Sequence, residues 1–365
     1  MTVTARESTA LRDALAMVAP GQPLRDGLDR VLKANRGALV VVGDDPAVLS
    51  ICSGGFLLDA EFTPQRLSEL AKMDGAVILA PDCSRIARAN VHLMPRASIP
   101  TTETGTRHRT AERVARSIDV PVISVSAAMS VISVYRNDRR HMLQPIGRLI
   151  DRADQALATL HRFRSRFDVA MNSLSSLEVE DTVSVGDVVA VLQSAEMVQR
   201  IAAEARDHLI ELGDDGRLVR LQLAELVDGV APALRLVLQD YLQNPGPSPT
   251  ARVSMIDQVL GTLSSLPTDE LVDGRRVAEV LGLPFSPGDL HTGLEPRGYR
   301  VLHRLPRFSD AVIERIVERF ANLQEIMRAS LGELEQVDGV GAATARSVKE
   351  GLSRLAEASI LDRYQ

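Results

Sequence analysis

One pattern in the sequence divides the whole chain. Ile150, Ala153, Leu157, Leu160, Phe167, Met171, Leu174 and Leu177 recur at three- and four-residue spacing. That spacing sets them on one face of a single long helix beginning near Ile146. Such a helix is an exposed rod, a helix packed against a second copy of the chain, or an ordinary bundle member, and these are not exclusive. The residues before it must close as a domain of their own, ending near Gln144. Beyond the long helix, the chain reads as further helices over 185–209, 217–226, 232–242 and 254–263, with a loop or linker at 244–249. Residues 268–281 are compatible with another helix, and the proline- and glycine-rich run 282–298 predicts no element.

The first part reads differently. Residues 38–43 are a β-branched run closed by Gly43, Asp44, Asp45 and Pro46, which predicts a buried strand and a turn. A second strand is predicted over 48–52, broken by 53–56, with further strands over 77–80, 86–94, 120–126 and 129–135. Helices are predicted over 8–19, 24–34, 63–72, with Thr63 as cap and Pro64 in the first turn, and 107–117. The fold class expected is an α/β domain, a mixed sheet flanked by helices, then an all-α connector and a C-terminal helical-hairpin module. The boundaries expected are 1–144, 145–308 and 309–365.

Composition limits the partners. With 365 residues, 45% of them hydrophobic, the chain can fill two or three cores, and with 3% aromatics and no Trp those cores are aliphatic. A net charge of −6 gives no global nucleic-acid signature, so any DNA contact has to be a local patch. Cys52 and Cys83 form no paired motif and the seven histidines no zinc-type cluster, so the expected compartment is a reducing cytoplasm. Residues 1–11 are polar, and no apolar run approaches a membrane span.

Two short stretches carry chemistry. Gly105, Thr106, Arg107, His108, Arg109, Thr110, Ala111, Glu112 and Arg113 put cations and hydroxyls at the start of a predicted helix. Arginine offers a fork of donors, threonine a compact hydroxyl, and a helix start free N–H groups, all suited to phosphate oxygens. The alternative is a solvated basic turn capping an ordinary helix. Upstream, Asp74 and Gly75 stand before the strand-like run from Ala76 to Ala80. A carboxylate there can hold a metal or orient a hydroxyl, and glycine lets a ligand approach the backbone; the alternative is a turn entering a strand.

Together, Asp74-Gly75-Ala76 and the run from Gly105 to Arg113 resemble the diadenylate cyclase domain family, and the chain as a whole resembles its DNA-binding branch. The resemblance implies condensation of two ATP molecules to cyclic di-AMP with Mg2+ or Mn2+, across an interface between subunits of a homo-oligomer, octameric in the family. It implies Asp74 as metal ligand and orienting carboxylate, Gly75 and Ala76 lining the nucleotide, and Arg107, His108 and Arg109 neutralising triphosphate. Thr106 and Thr110 would donate to phosphate, and Leu93 would meet adenine through its backbone, unless it is only a core leucine. Ser126 is a weaker phosphate-side candidate. Other members carry membrane helices, which this sequence lacks, so the expected location is cytoplasmic and nucleoid-associated.

At the C-terminal end, Ser309 is placed to cap a helix over 310–320, continued or restarted over 323–327. Gly339-Val340-Gly341 lies before a helix over 342–356 and resembles the turn of a helix-hairpin-helix DNA-binding module. The glycines permit a tight turn and bring N–H groups against a phosphate of branched or damaged DNA. Val340 tucks into a small core, and Thr344, Arg346 and Lys349 reach toward a second phosphate. A plain αα-hairpin is the alternative. Arg297, Arg300, Arg304, Arg307, Arg315 and Arg319 either extend this surface or merely solvate it. The competing function is a DNA-structure-binding scaffold that senses nucleotide without turnover.

Overall fold

The computed structural model describes residues 3–243, 246, 248–283, 290–305 and 308–362. By internal contacts the chain forms two compact units, Met1–Gln155 with Glu204–Gln222, and Ala156–Ala203 with Leu223–Gln365.

The first unit is built on a sheet. After α1 (Val3–Met17) and α2 (Pro23–Lys33) come β1 (Ala38–Val42), α3 (Pro46–Ser50), β2 (Cys52–Ser53), β3 (Phe56–Glu61), α4 (Pro64–Leu70), β4 (Ala76–Leu79) and β5 (Arg85–Leu93). Next are α5 (Thr106–Ser117), β6 (Val122–Ser126), β7 (Val131–Arg136) and β8 (Arg139–Met142). The strand order is β2-β5-β4-β1-β6-β7-β8, with β3 also on β5. β1 and β4 are parallel and the other pairs antiparallel, so the sheet is mixed as expected.

Period-two alternation sorts the central strands onto two cores. Val40, Val42, Val77, Leu79, Ile123 and Val125 face Leu15, Leu24, Leu28 and Leu67 of α1, α2 and α4, and Val18 just past the end of α1. Leu39, Val41, Ile78 and Val122 face Val48 of α3 and Ala111, Val114 and Ala115 of α5. Because both faces are covered, every residue of β1 and β4 is buried.

Three expectations change. Of the strand expected over 48–52 only Cys52 belongs to one, β2: Asp45 accepts from the Val48 N–H at 2.9 Å and Pro46 opens the helix, so the supposed turn is the start of α3. β3 was hidden by Gly54 and Gly55, whose left-handed backbone, at φ +66° and +79°, breaks the strand before the chain resumes pairing along β5. β8 escaped because its polar residues carry no hydrophobic period. Thr63 caps α4 as expected, accepting from the Arg66 N–H at 3.1 Å.

The second run of elements is helical: α6 (Ile146–Glu180), α7 (Val185–Leu212), a 3-10 turn (Gly213–Gly216), α8 (Arg217–Val227), α9 (Val230–Tyr241), α10 (Pro249–Ser265), α11 (Thr268–Val272) and α12 (Gly274–Val280). The long helix is present, but Leu149 rather than Ile150 turns inward, and the stripe runs on from Leu174 to a fully buried Glu178. Half of the loop expected over 244–249 lies outside the described residues, and its end opens α10 under a Ser248 cap.

The chain then makes α13 (Tyr299–His303), α14 (Asp310–Phe320), α15 (Leu323–Arg328), α16 (Leu331–Glu335) and α17 (Ala342–Asp362). α13–α14 and α16–α17 are two copies of one hairpin at a constant offset. The Leu305 N–H donates to Leu302 O at 3.0 Å and the Val337 N–H to Leu334 O at 3.1 Å. Ile313 donates to Ser309 O at 3.1 Å and Ala345 to Gly341 O at 2.9 Å. Leu302, Ile313 and Ile316 match Leu334, Ala345 and Val348 in one shared core. Ser309 occupies the cap position of α14, but its side chain makes no capping hydrogen bond.

Candidate active site

Strand direction brings the predicted residues to one edge of the sheet. β1 and β4 start there, and β5 and β6 end there, because Ala76 pairs Val91 and Ala38 pairs Val125. Asp74, Gly75 and Ala76 therefore share that edge with Leu93 and Ser126. α5 begins at the same edge, since the Arg107 guanidinium packs against Gly37, where a Cβ would overlap it.

Gly75 has a specific task. A Cβ there would run into the backbone of Asn90 and Val91. Its N–H donates to Asn90 Oδ1 at 3.2 Å, and Asn90 takes φ +56°, a conformation asparagine tolerates. The pairing of β4 with β5 slips at this point, so strand, bulge and glycine together set the backbone at which Asp74 ends. Asp74 itself is exposed, and Leu93 is a buried core residue paired with Cys52. Ser126 Oγ accepts from the Met129 N–H at 3.4 Å.

α5 splits its row of three. Gly105, at φ +84°, opens the helix without a side-chain cap, leaving the first N–H groups to an incoming anion. Thr106 and Arg109 are exposed, Arg107 and Thr110 half-buried, and His108 buried. Rotation by about 100° per residue, from 3.6 residues per turn, turns His108 inward with Ala111, Glu112 and Ala115 while the arginines flank it.

His108 Nδ1 lies 2.9 Å from the Tyr135 hydroxyl, which donates to Glu103 Oε1 at 3.1 Å. Arg140 Nη1 pairs with the same Glu103 oxygen at 2.7 Å. Burial, with further pressure from Arg140 and Arg107 against the pull of Glu103, holds the His108 ring below the ordinary histidine range. Glu112 ties down the loop that carries Glu103. It accepts from the Thr101 hydroxyl, from the Thr102 N–H at 3.0 Å and from the Glu103 N–H at 3.3 Å, and pairs with Arg116 at 3.1 Å. Burial pushes this carboxyl up, but those donors hold it below its usual range. Sequence reading missed Glu103, Tyr135 and Arg140. The one signal was a tyrosine inside an aliphatic strand of a chain with four tyrosines.

Among the described residues no group of three or more His, Cys, Asp or Glu side chains is arranged to hold a metal on protein ligands alone. Asp74 is exposed. That suits a hydrated divalent ion shared between one carboxylate and substrate phosphates. No helix among the described residues is long and apolar enough to cross a membrane.

In the C-terminal hairpin, Gly339 adopts φ +81° and the Val340 side chain is buried, its N–H donating to Val337 O at 2.9 Å. Gly341 is exposed beside the start of α17, Arg346 is exposed and Thr344 half-buried. Lys349 Nζ donates to Met327 O at 2.7 Å, so it already closes the end of α15. Two of the six arginines upstream of the hairpin are structural. Arg297 caps α9 through the carbonyls of Gln239, Asp240 and Leu242, and Arg300 is buried against Glu178 at 2.8 Å. Arg307 lies outside the described residues.

A phosphate-suited helix start beside a carboxylate and a close-approach glycine, at one edge of a mixed sheet, defines a nucleotide-binding domain. Residues 25–140 match the family model described as DisA bacterial checkpoint controller nucleotide-binding, and residues 143–288 match the DisA bacterial checkpoint controller linker region. The DNA integrity scanning protein DisA of Streptomyces coelicolor is 51% identical over 355 residues, covering 97% of this chain and 94% of that one. That of Kineococcus radiotolerans is 50% identical over 357 residues, covering 97% of each. The chain belongs to the DisA family, and its first domain is of the diadenylate cyclase class.

Proposed function

We propose that the chain condenses two ATP molecules into cyclic di-AMP, releasing two pyrophosphates, with one ATP in each of two facing copies of the first domain. The gathering of Asp74, Gly75, Ala76, Leu93, Arg107 and Ser126 at one sheet edge carries this reading. Gly75 and Ala76 line the nucleotide through backbone, and Leu93 meets adenine. Thr106, Thr110 and Ser126 donate to phosphate oxygens. Arg107 and Arg109 neutralise the triphosphate, while neutral His108 contributes a ring nitrogen rather than a charge.

Asp74 holds Mg2+ or Mn2+ and orients the attacking hydroxyl. The bound ion would supply charge neutralisation at the reacting phosphate. Each 3′-oxygen forms its bond to the other nucleotide's α-phosphorus as the bond to pyrophosphate breaks. Positioning and charge stabilisation are most of what such a transfer asks of protein. One domain holds one nucleotide, so the reaction needs a homo-oligomer, octameric as in the family.

The domain division we propose is cyclase over 1–144, helical connector over 145–308 and DNA-binding module over 309–365. The module takes branched or damaged DNA by backbone contacts from Gly339, Val340, Gly341, Thr344, Arg346 and Lys349, and its paired hairpins suit the two strands of a duplex.

Mass spectrometry of product tests the enzyme. With ATP and either metal the wild type yields cyclic di-AMP, and Asp74→Asn yields none while still binding ATP. A folded oligomer that binds ATP and makes no product with either metal leaves the nucleotide-sensing scaffold instead.

A further inference from the structure

The hydrogen bonds around His108 fix where its protons sit. Arg140 pairs with Glu103 at 2.7 Å, so Glu103 is a carboxylate and can only accept. The single Tyr135 hydroxyl proton goes to Glu103, at 3.1 Å. The phenol oxygen then has only a lone pair to offer His108. Nδ1, at 2.9 Å, must carry the hydrogen and donate it. In the neutral ring this leaves Nε2 unprotonated. Nε2 has no partner among the described residues and is not one of the enclosed unpaired atoms, so it opens to its surroundings.

We propose that Tyr135 and Glu103 are positioning residues of the cyclase, locking His108 in the Nδ1–H form so that Nε2 presents a lone pair to the bound nucleotide. The inference rests on the reading of α5 as the nucleotide cradle. It changes what His108 does there. A ring held this way cannot donate to a phosphate oxygen; it accepts from a hydroxyl or coordinates a cation. The device is anchored at both ends. Glu103 is held by Arg140 and by the loop that Glu112 secures, and the Tyr135 backbone is fixed by pairing with Val122. Second-layer partners of this kind typically matter about 10–100-fold where the ring serves a cation.

The test uses the full chain with 15N-labelled histidine, His108 being assigned by its absence in His108→Asn. In wild type the His108 nitrogens report Nδ1–H and a bare Nε2. Tyr135→Phe, which removes the acceptor, should give a mixture of the two tautomers. Its cyclase kcat should fall about 10–100-fold, with KM for ATP changed less than about threefold, a split that a general loss of fold would not give. Glu103→Ala removes the acceptor that takes the tyrosine proton. It should give the same mixture of tautomers and a similar fall in kcat, and it serves as the test, with the same overturning result, if Tyr135→Phe fails to fold. A wild type in the Nε2–H form, or Tyr135→Phe with an unchanged tautomer and kcat, overturns the proposal. The spectrum is read without turnover. A chain that shows the locked tautomer yet makes no cyclic di-AMP would sink the cyclase reading alone.

Discussion

Gly75 shows how a single side-chain atom is excluded from the site. Its absent Cβ is the room in which the Asn90 and Val91 backbone runs. Gly75→Ala should therefore force β4 and β5 apart, at a cost of about 1–3 kcal/mol, the usual penalty of overpacking. The check is a lower melting temperature together with reduced cyclic di-AMP output; an alanine variant with unchanged melting and output would contradict it. The glycine was legible in the sequence because it stands next to Asp74 before a β-branched run. Its reason was not, since Asn90 lies on another strand and meets Gly75 only through a slipped register. Glu103 and Tyr135 were illegible in the same way. Nothing near either residue in the chain announces the other, and only the sheet brings Tyr135 beneath α5.

Among the elements, α6 was the easiest to read and still held a surprise. Its apolar stripe ends on Glu178, fully buried, with Oε1 accepting from Arg300 Nη1 and from the Tyr241 hydroxyl, each at 2.8 Å. Asp240 caps α13 beside it, taking the N–H groups of Gly298 and Tyr299 at 2.7 Å and of Arg300 at 2.9 Å. Glu178 Oε2 has no partner among the described residues. Burial pushes this carboxyl from an ordinary 4.5 up to about 7, with Asp240 adding to the rise and Arg300 opposing it. Between pH 4.5 and 7 the unfolded chain ionises Glu178 before the folded one does, so the stability this group contributes is whole below 4.5 and is lost as pH rises to 7. Glu178→Gln should lack that loss. The difference in unfolding free energy between the two proteins should move against wild type as pH rises through the window, read from melting curves of the two proteins; parallel curves would contradict it. Short elements were the ones misread. A helix of five residues such as α3 has too little period to show, and β3 presents Phe56, Leu57 and Leu58 to the surface instead of alternating them.

Across the whole molecule, the order of parts in the sequence was clear, because an aliphatic α/β pattern gives way to unbroken helical periodicity near residue 146. The number of hairpins was not. The α13–α14 copy lacks the glycines that mark the α16–α17 turn, so only packing reveals the pair. If the paired hairpins take DNA and the first domain makes cyclic di-AMP, occupancy of one should be felt by the other. Branched DNA should change the rate of product formation in the full chain and leave it unchanged when Gly339 and Gly341 are both replaced by Ala. Equal wild-type rates with and without DNA would disprove the coupling.

The first compact unit is not a continuous piece of chain. Glu204–Gln222 returns to it after the chain has passed through Ala156–Ala203. His141 meets Glu211 at 2.9 Å, and the Asp214 N–H donates to Pro20 O at 3.2 Å. During synthesis this first compact unit therefore stays unfinished until Gln222 has left the ribosome. A nascent chain cut off at the end of the sheet would leave Pro20 and His141 without those partners.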